Sequence, residues 1–240
     1  MKDKTSSTLC SDALWHKYKT GTIPVIPDIK CKSPGEGELL SDRDPEEYAK
    51  ILEAAGAPVV SVVTEAEHYG GSAGMFRRIA MYVSVPLLRK DFITTLDQLR
   101  ESADIGASGV LLIASKLDRE KLTRLAEAAA ALGLEPLIET HNRDEIMFAT
   151  GMKPTFLGIN NRDICRYEID NGNVGTTELL ASYAGAGALL LSESSISSAE
   201  DIHRAAAAGA HAVLVGTALL RARDPAAMYR DLSSIGIPGL

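Results

Sequence analysis

The stretch Val85-Pro86-Leu87-Leu88-Arg89-Lys90-Asp91-Phe92 begins as a buried strand and ends on charge. Valine and two leucines make a short apolar run, with proline near its start, where a strand tolerates a missing N–H. The run then stops on Arg89, Lys90 and Asp91. A lysine at such a boundary keeps its stem in the core and its ammonium at the rim. Parallel α/β proteins place their chemistry at that end of their strands. The stretch predicts a core strand over Val85–Leu88 with Lys90 as a catalytic acid beyond it. Taken alone, it fits equally well a lysine that merely solubilises a strand end.

The same texture recurs along the chain. Apolar runs lie at Ile23–Ile29, Pro58–Val63, Val85–Leu88, Gly109–Ala114, Glu135–Ile138, Thr155–Ile159, Ala188–Leu191 and Ala212–Val215. Amphipathic stretches separate them, at Pro45–Ala55, Ala73–Tyr82, Leu96–Ile105, Arg119–Leu132, Arg143–Thr150, Thr176–Ala184, Ala199–Ala208 and Pro225–Leu232. Asp44-Pro45 reads as an N-cap followed by proline in the first helical position, and Ser198 with Asp201 as a capping box. The glycines of Ala55-Gly56-Ala57, Ile105-Gly106-Ala107 and Ala208-Gly209-Ala210 fit helix ends that turn into the next strand. Eight β/α units in one chain of 240 residues predict an α/β fold of the closed (β/α)8 TIM-barrel type. No dinucleotide or P-loop glycine pattern is present to favour an open sheet. A short N-terminal segment, 1–22, precedes a single barrel domain, 23–240.

Hydrophobic residues make up 45% of the chain, enough for a sizeable core, and the net charge is −7. No basic run points to nucleic acid or a membrane surface, so the expected partner is a small molecule. The polar N-terminus has no secretory apolar region, and no run approaches a membrane span. Cys10, Cys31 and Cys165 are odd in number and far apart, which predicts a reducing, cytoplasmic setting without disulfides. The five histidines show no metal-ligand spacing, and neither a metal nor a cofactor is expected.

The ends of the apolar runs carry the polar residues. Asp28, Lys30 and Ser33 follow the first run, Glu65 and Tyr69 the second, and Lys90 and Phe92 the third. Lys116, Glu139, Asn160 with Arg162, Glu193 with Ser194 and Ser195, and Gly216 with Thr217 follow the others. The opposite ends read as Gly, Ala and Pro. Ionised side chains cost several kcal/mol each if desolvated without partners, so their convergence on one rim predicts a polar active site there. Small residues after the last two runs, with Ser33 from the first, predict a phosphate cradle, helped by a short helix over Ala218–Arg221.

Taken in order, Asp-Ile-Lys-x-Lys-Ser-Pro (28–34), Tyr-x-Gly-Ser (69–72), Leu-x-Lys-Asp-Phe (88–92), Leu-Leu-Ile-Ala (111–114), Glu139, Gly-Ile-Asn-Asn-Arg-Asp (158–163), Ser-Glu-Ser (192–194) and Val-Gly-Thr (215–217) resemble the indole-3-glycerol-phosphate synthase family. The likeness spans nearly the whole barrel, from about residue 23 to 232. It implies a ribulose-phosphate-binding barrel that closes, decarboxylates and dehydrates 1-(2-carboxyphenylamino)-1-deoxyribulose 5-phosphate in tryptophan synthesis. Other enzymes of that pathway become candidate partners. Lys90 matches the family's general acid, with a pKa lowered by neighbouring cations. Lys30 matches the lysine that pairs with the substrate carboxylate, and Glu139 the carboxylate of the dehydration step. Asn160 and Glu193 match orienting residues, and Arg162 a supporting ion-pair partner. Tyr69, Phe92 and Leu111 match apolar walls for the aromatic ring. Ser33, Ser194, Ser195, Gly216 and Thr217 match the phosphate cradle.

Three departures stand out. Asp28 occupies a glutamate position, one methylene shorter, where the family's carboxylate serves as base or as partner of the catalytic lysine. Ser195 stands at a glycine position. The family's longer N-terminal extension over the top of the barrel is shortened here, with Trp15 and Tyr18 as the expected remnant of a partial lid. Asp28 keeps open a paralogue acting on a related aminodeoxyribulose phosphate. A barrel that only binds a phosphorylated ligand is a third reading, which the joint presence of Lys30, Lys90, Glu139 and Asn160 opposes.

Overall fold

The computed structural model describes residues 8–162 and 172–239; Asp163 and Cys165 lie outside them. Its strands in chain order are β1 (Val25–Ile29), β2 (Lys32–Ser33), β3 (Gly37–Glu38), β4 (Val60–Val63), β5 (Leu87–Lys90), β6 (Gly109–Ile113), β7 (Glu135–Thr140), β8 (Phe156–Asn160), β9 (Leu189–Glu193) and β10 (Ala212–Val215). Eight of them close a barrel in the order β1-β10-β9-β8-β7-β6-β5-β4, with every neighbouring pair parallel. The antiparallel pair β2-β3 is a small hairpin after β1 that the apolar pattern did not reveal. The expected helices are present within a residue or two, and Thr176–Ala184 divides into the helix Gly175–Leu180 and the 3-10 turn Ala181–Tyr183. Asp44 caps its helix by accepting from two backbone N–H groups, and Ser198 with Asp201 forms the capping box. Gly56, Gly106 and Gly209 adopt φ of 106°, 96° and 113°, the left-handed backbone that ends a helix.

Alternation along the strands separates two cores. Outward residues pack under the helices. Inward residues, including Ile26, Leu88, Leu111, Leu137, Phe156, Leu189, Leu191 and Leu214, fill the barrel. Each such side chain stabilises the fold by about 1.5–3 kcal/mol through burial.

The expectation of a partial lid is overturned for the described part of the N-terminal segment. Helix Cys10–Tyr18 closes the opposite mouth, where the strands begin. Cys10 and Leu14 are fully buried within the interior cluster. The Ser11 N–H donates to Glu135 at the start of β7 over 2.8 Å, and its hydroxyl donates to the same carboxylate. Trp15 stacks on His211, just before β10, with ring centroids 4.6 Å apart. Gly109 makes room for this helix, since a Cβ there would sit 3.2 Å from Cys10 Sγ. The helix thus exists to cover apolar interior residues and to satisfy Glu135, a buried charge at the mouth that the sequence pattern showed as uncharged.

Candidate active site

At the C-terminal mouth the ladder continues past the apolar runs and carries the charges inward. Lys90 pairs with Val63, Ile113 with Glu139, and Asn160 with Glu193 as strand residues. The strand expected at Val85–Leu88 therefore begins two residues later and ends on Lys90. Strands β7 and β9 likewise extend to Thr140 and Glu193. Hydropathy ends a strand at its first charge, but the pleat simply turns alternate side chains into the barrel.

These residues surround a cavity of about 310 Å³. Asp28, Lys30, Lys90, Glu139, Asn160 and Arg162 line it, with Tyr69, Phe92 and Leu111 as apolar wall and Ser194, Ser195, Gly216 and Thr217 to one side. Two expected contacts are placed differently. Ser33 is buried in the β2-β3 hairpin, and Glu193 is fully buried beneath the cavity; neither is among its lining residues. Glu193 reaches Lys90 instead, with Nζ donating to Oε2 over 2.9 Å.

That ion pair corrects two expectations. The glutamate partner of Lys90 is Glu193, while Asp28 accepts a 2.6 Å hydrogen bond from the buried Ser61 hydroxyl. The lysine is also not destabilised by cations. Burial opposes its charge, but Glu193, Asp28 and Glu139 outweigh burial and hold the ammonium well above the ordinary lysine pKa. Glu193 carries the cost of that arrangement: burial, with Glu139 and Asp28 adding repulsion against the attraction of Lys90, pushes it up to about 7. Gly158 makes the arrangement possible, because a Cβ there would overlap Glu193 Oε1.

Neighbouring buried networks fix the rim. Arg89, next to Lys90 but facing outward, donates to Thr64, Ser102 and Asp91 and pairs with Glu101 at 2.8 Å. Asp91 in turn accepts from the Phe92 N–H over 2.8 Å, which sets the turn beyond Lys90. Asn161 donates to the carbonyls of Glu193 and Ser194 and accepts from Thr177. It thereby pins the turn in which Ser194 and Ser195 adopt φ of 67° and 58°. At the glycine position of the resembling family, Ser195 keeps a left-handed backbone and accepts the strain of about 1 kcal/mol that a Cβ brings there. The short helix expected near Ala218 spans Thr217–Arg221.

Glu65 and Asp91, read from the sequence as rim residues without a role, also line the cavity, as do Glu36 and Ile113, which sequence reasoning did not single out. It also missed His141, whose Nε2 lies 3.3 Å from Glu139 Oε1. Burial raises the Glu139 pKa, but His141 and Lys90 outweigh it and keep the carboxyl below its ordinary value. The signal for His141 was available: it follows the strand-end glutamate by two residues, so it shares that residue's face of the strand.

The likeness to known proteins covers nearly the whole chain, the N-terminal helix included. The family model described as indole-3-glycerol phosphate synthase matches residues 3–232. The chain is 39% identical over 207 residues to the indole-3-glycerol phosphate synthase of Pyrococcus furiosus, covering 86% of this chain and 90% of that one. Against the protein of that name from Thermococcus kodakarensis it is 38% identical over 213 residues, 89% of this chain and 93% of the relative. Against that from Listeria monocytogenes it is 38% identical over 216 residues, 90% and 84% of the two chains.

Proposed function

From the premise that the chain belongs to the indole-3-glycerol phosphate synthase family, we propose how its rim cavity performs that family's reaction. The enzyme is a decarboxylating lyase of tryptophan biosynthesis, converting 1-(2-carboxyphenylamino)-1-deoxyribulose 5-phosphate to indole-3-glycerol phosphate, CO2 and water. No helix among the described residues is long and apolar enough to cross a membrane.

The ring carbon bearing the carboxylate attacks the ketone carbon, and the ketone oxygen must gain a proton as the bond forms. Lys90 supplies it. The surrounding carboxylates keep Lys90 fully protonated at neutral pH, so every resting enzyme molecule holds that proton ready. Lys30, on the same cavity, pairs with the substrate carboxylate until CO2 departs and the ring regains aromaticity. The hydroxyl then leaves as water with a proton from a rim ammonium, and Glu139 removes a proton from the adjacent methylene carbon to complete the indole. Its lowered pKa suits the base, not the acid, in that step. Tyr69, Phe92 and Leu111 hold the aromatic ring. Backbone N–H groups around Ser194–Ser195 and Gly216–Thr217 receive the phosphate.

The observation that carries this reading is the convergence of Lys30, Lys90, Glu139 and Asn160 on one cavity, opposite Ser194, Ser195, Gly216 and Thr217. An assay of indole fluorescence on wild type, Lys90→Ala and Asp28→Glu tests it. Wild type forms the indole product and Lys90→Ala loses it. Asp28→Glu loses the 2.6 Å bond to Ser61 and falls by up to roughly 10²-fold, as expected for an ångström-scale misplacement. Binding of the substrate by wild type without indole formation would defeat the reading.

A further inference from the structure

We infer that His141 and Glu145 form a positioning pair that fixes Glu139 as the base of the dehydration step; this rests on the role given to Glu139 above. The geometry is a chain of three side chains. His141 Nε2 is 3.3 Å from Glu139 Oε1, and His141 Nδ1 is 3.1 Å from Glu145 Oε2. Glu145 is itself held, since its Oε2 accepts the His141 backbone N–H over 2.8 Å and its Oε1 accepts from Asn142 Nδ2 over 2.5 Å. The ring is therefore oriented from behind by a carboxylate that cannot easily turn.

An imidazole whose Nδ1 meets Glu145 at hydrogen-bond distance and whose Nε2 faces a second carboxylate at ion-pair distance is favoured as the imidazolium, which presents an N–H to each. Burial opposes its charge, but Glu139 and Glu145 outweigh burial and raise His141 to about 10. The charged groups acting on this chain are Glu139 from β7, Glu145 from the helix Arg143–Gly151, and Lys90 from β5, which reinforces the ionised state of Glu139. The 3.3 Å contact is an ion pair whose atoms are not aligned as a hydrogen bond, so the imidazolium acts on Glu139 through its charge and its packing against Oε1. A carboxylate oriented in this way by a histidine, itself oriented by a second carboxylate, resembles the outer-shell arrangement that fixes reactive groups in metal and hydrolase sites.

A helix cap alone does not require this contact. Asn142 already accepts from the Glu145 N–H and caps the helix, while His141 points the other way, to a side chain only 2% exposed on the cavity wall.

The test compares Glu139→Gln, His141→Gln and Glu145→Gln by the pH dependence of kcat, with KM and melting temperature measured in parallel. Glu139→Gln is inactive. His141→Gln lowers kcat by roughly 10²-fold and leaves KM within about twofold, as for an interaction used only in the transition state. Removing the cation raises the Glu139 pKa, so activity is lost at higher pH on the acid side. Glu145→Gln moves the same limb the same way by less, and its cap from Asn142 remains if His141→Gln folds poorly. The imidazole resonance that disappears in His141→Gln stays protonated to a pH of about 10 in wild type and titrates lower in Glu145→Gln. An unmoved acid limb in both folded variants, or an ordinary histidine titration, overturns the positioning role alone. Full activity of Glu139→Gln overturns the assignment of Glu139 and the positioning role with it.

Discussion

Replacing Gly158 by alanine should break the ion pair that charges Lys90, without touching either charged residue. Gly158 faces the interior of the barrel, two residues before Asn160 on β8. The added Cβ would overlap Glu193 Oε1 and lie 3.3 Å from Leu137 Cδ1. Glu193 has nowhere to go: it is 0% exposed and holds Lys90 at 2.9 Å. Moving its carboxylate leaves two buried charges imperfectly paired, a loss of about 3–5 kcal/mol when such a pair is broken. At about 2–4 °C per kcal/mol for a domain of this size, the melting temperature falls by about 6–20 °C. Indole formation falls with it, since Lys90 no longer has a fixed position. The decisive measurement is a double-mutant cycle in urea. In a Glu193→Ala background the obstructing oxygen is gone, and Gly158→Ala should cost less than about 1 kcal/mol. An equal cost in both backgrounds would mean that the glycine serves backbone or Leu137 packing, and the steric account of the Glu193 notch would be refuted.

Two further substitutions examine other parts of the design. Ser11→Ala leaves the buried Glu135 with one fewer donor at the closed mouth; unfolding free energy should fall by about 1–3 kcal/mol while KM for the substrate is unchanged, whereas a lid would show its loss in KM. Glu53 is raised by burial but brought down to about 2 by Lys50 and by donation from Ser84, whose N–H and hydroxyl each reach it at 2.6 Å. Its stabilisation is present above the unfolded value of 4.5 and is lost as pH falls through about 2, so Glu53→Gln should cost about 1 kcal/mol at pH 7, the exposed Lys50 partner being screened by solvent, and less below pH 2, as read from urea denaturation across that range.

The barrel was legible because apolar runs, amphipathic stretches and left-handed glycines such as Gly56, Gly106 and Gly209 all indicate the same alternation. What periodicity could not supply was pairing at a distance. Glu193 reads as a rim residue like Glu139, and only the missing side chain at Gly158, in a different strand, places it beneath the cavity. Ser61 sits in an apolar run and gives no local hint that it bonds Asp28 across a strand pair. Helix Cys10–Tyr18 has a polar, unremarkable sequence, and its position depends on Glu135 and His211, more than a hundred residues away. A hairpin as short as β2-β3 lacks the length for a detectable period.

The finding that matters most for mechanism is that the carboxylates raise the pKa of Lys90 when a lowered one was expected. A raised pKa makes an ammonium a weaker acid, which at first looks wrong for a proton donor. The recipient decides the matter. As the ring closes, the ketone oxygen becomes an alkoxide, a stronger base than a lysine amine, so transfer from a stabilised ammonium still runs downhill at that moment. A lowered pKa would have left part of the enzyme deprotonated before substrate arrived. The carboxylate cluster instead guarantees the charge, and Glu193, pushed up to about 7, is close enough at 2.9 Å to sense whether the charge remains. In the mechanism proposed above, once Lys90 has given up its proton, Glu193, Asp28 and Glu139 face each other without the cation that balanced them, and that repulsion favours return of a proton to the amine before the next turnover. The same electrostatics that make the site costly to fold therefore reset its acid.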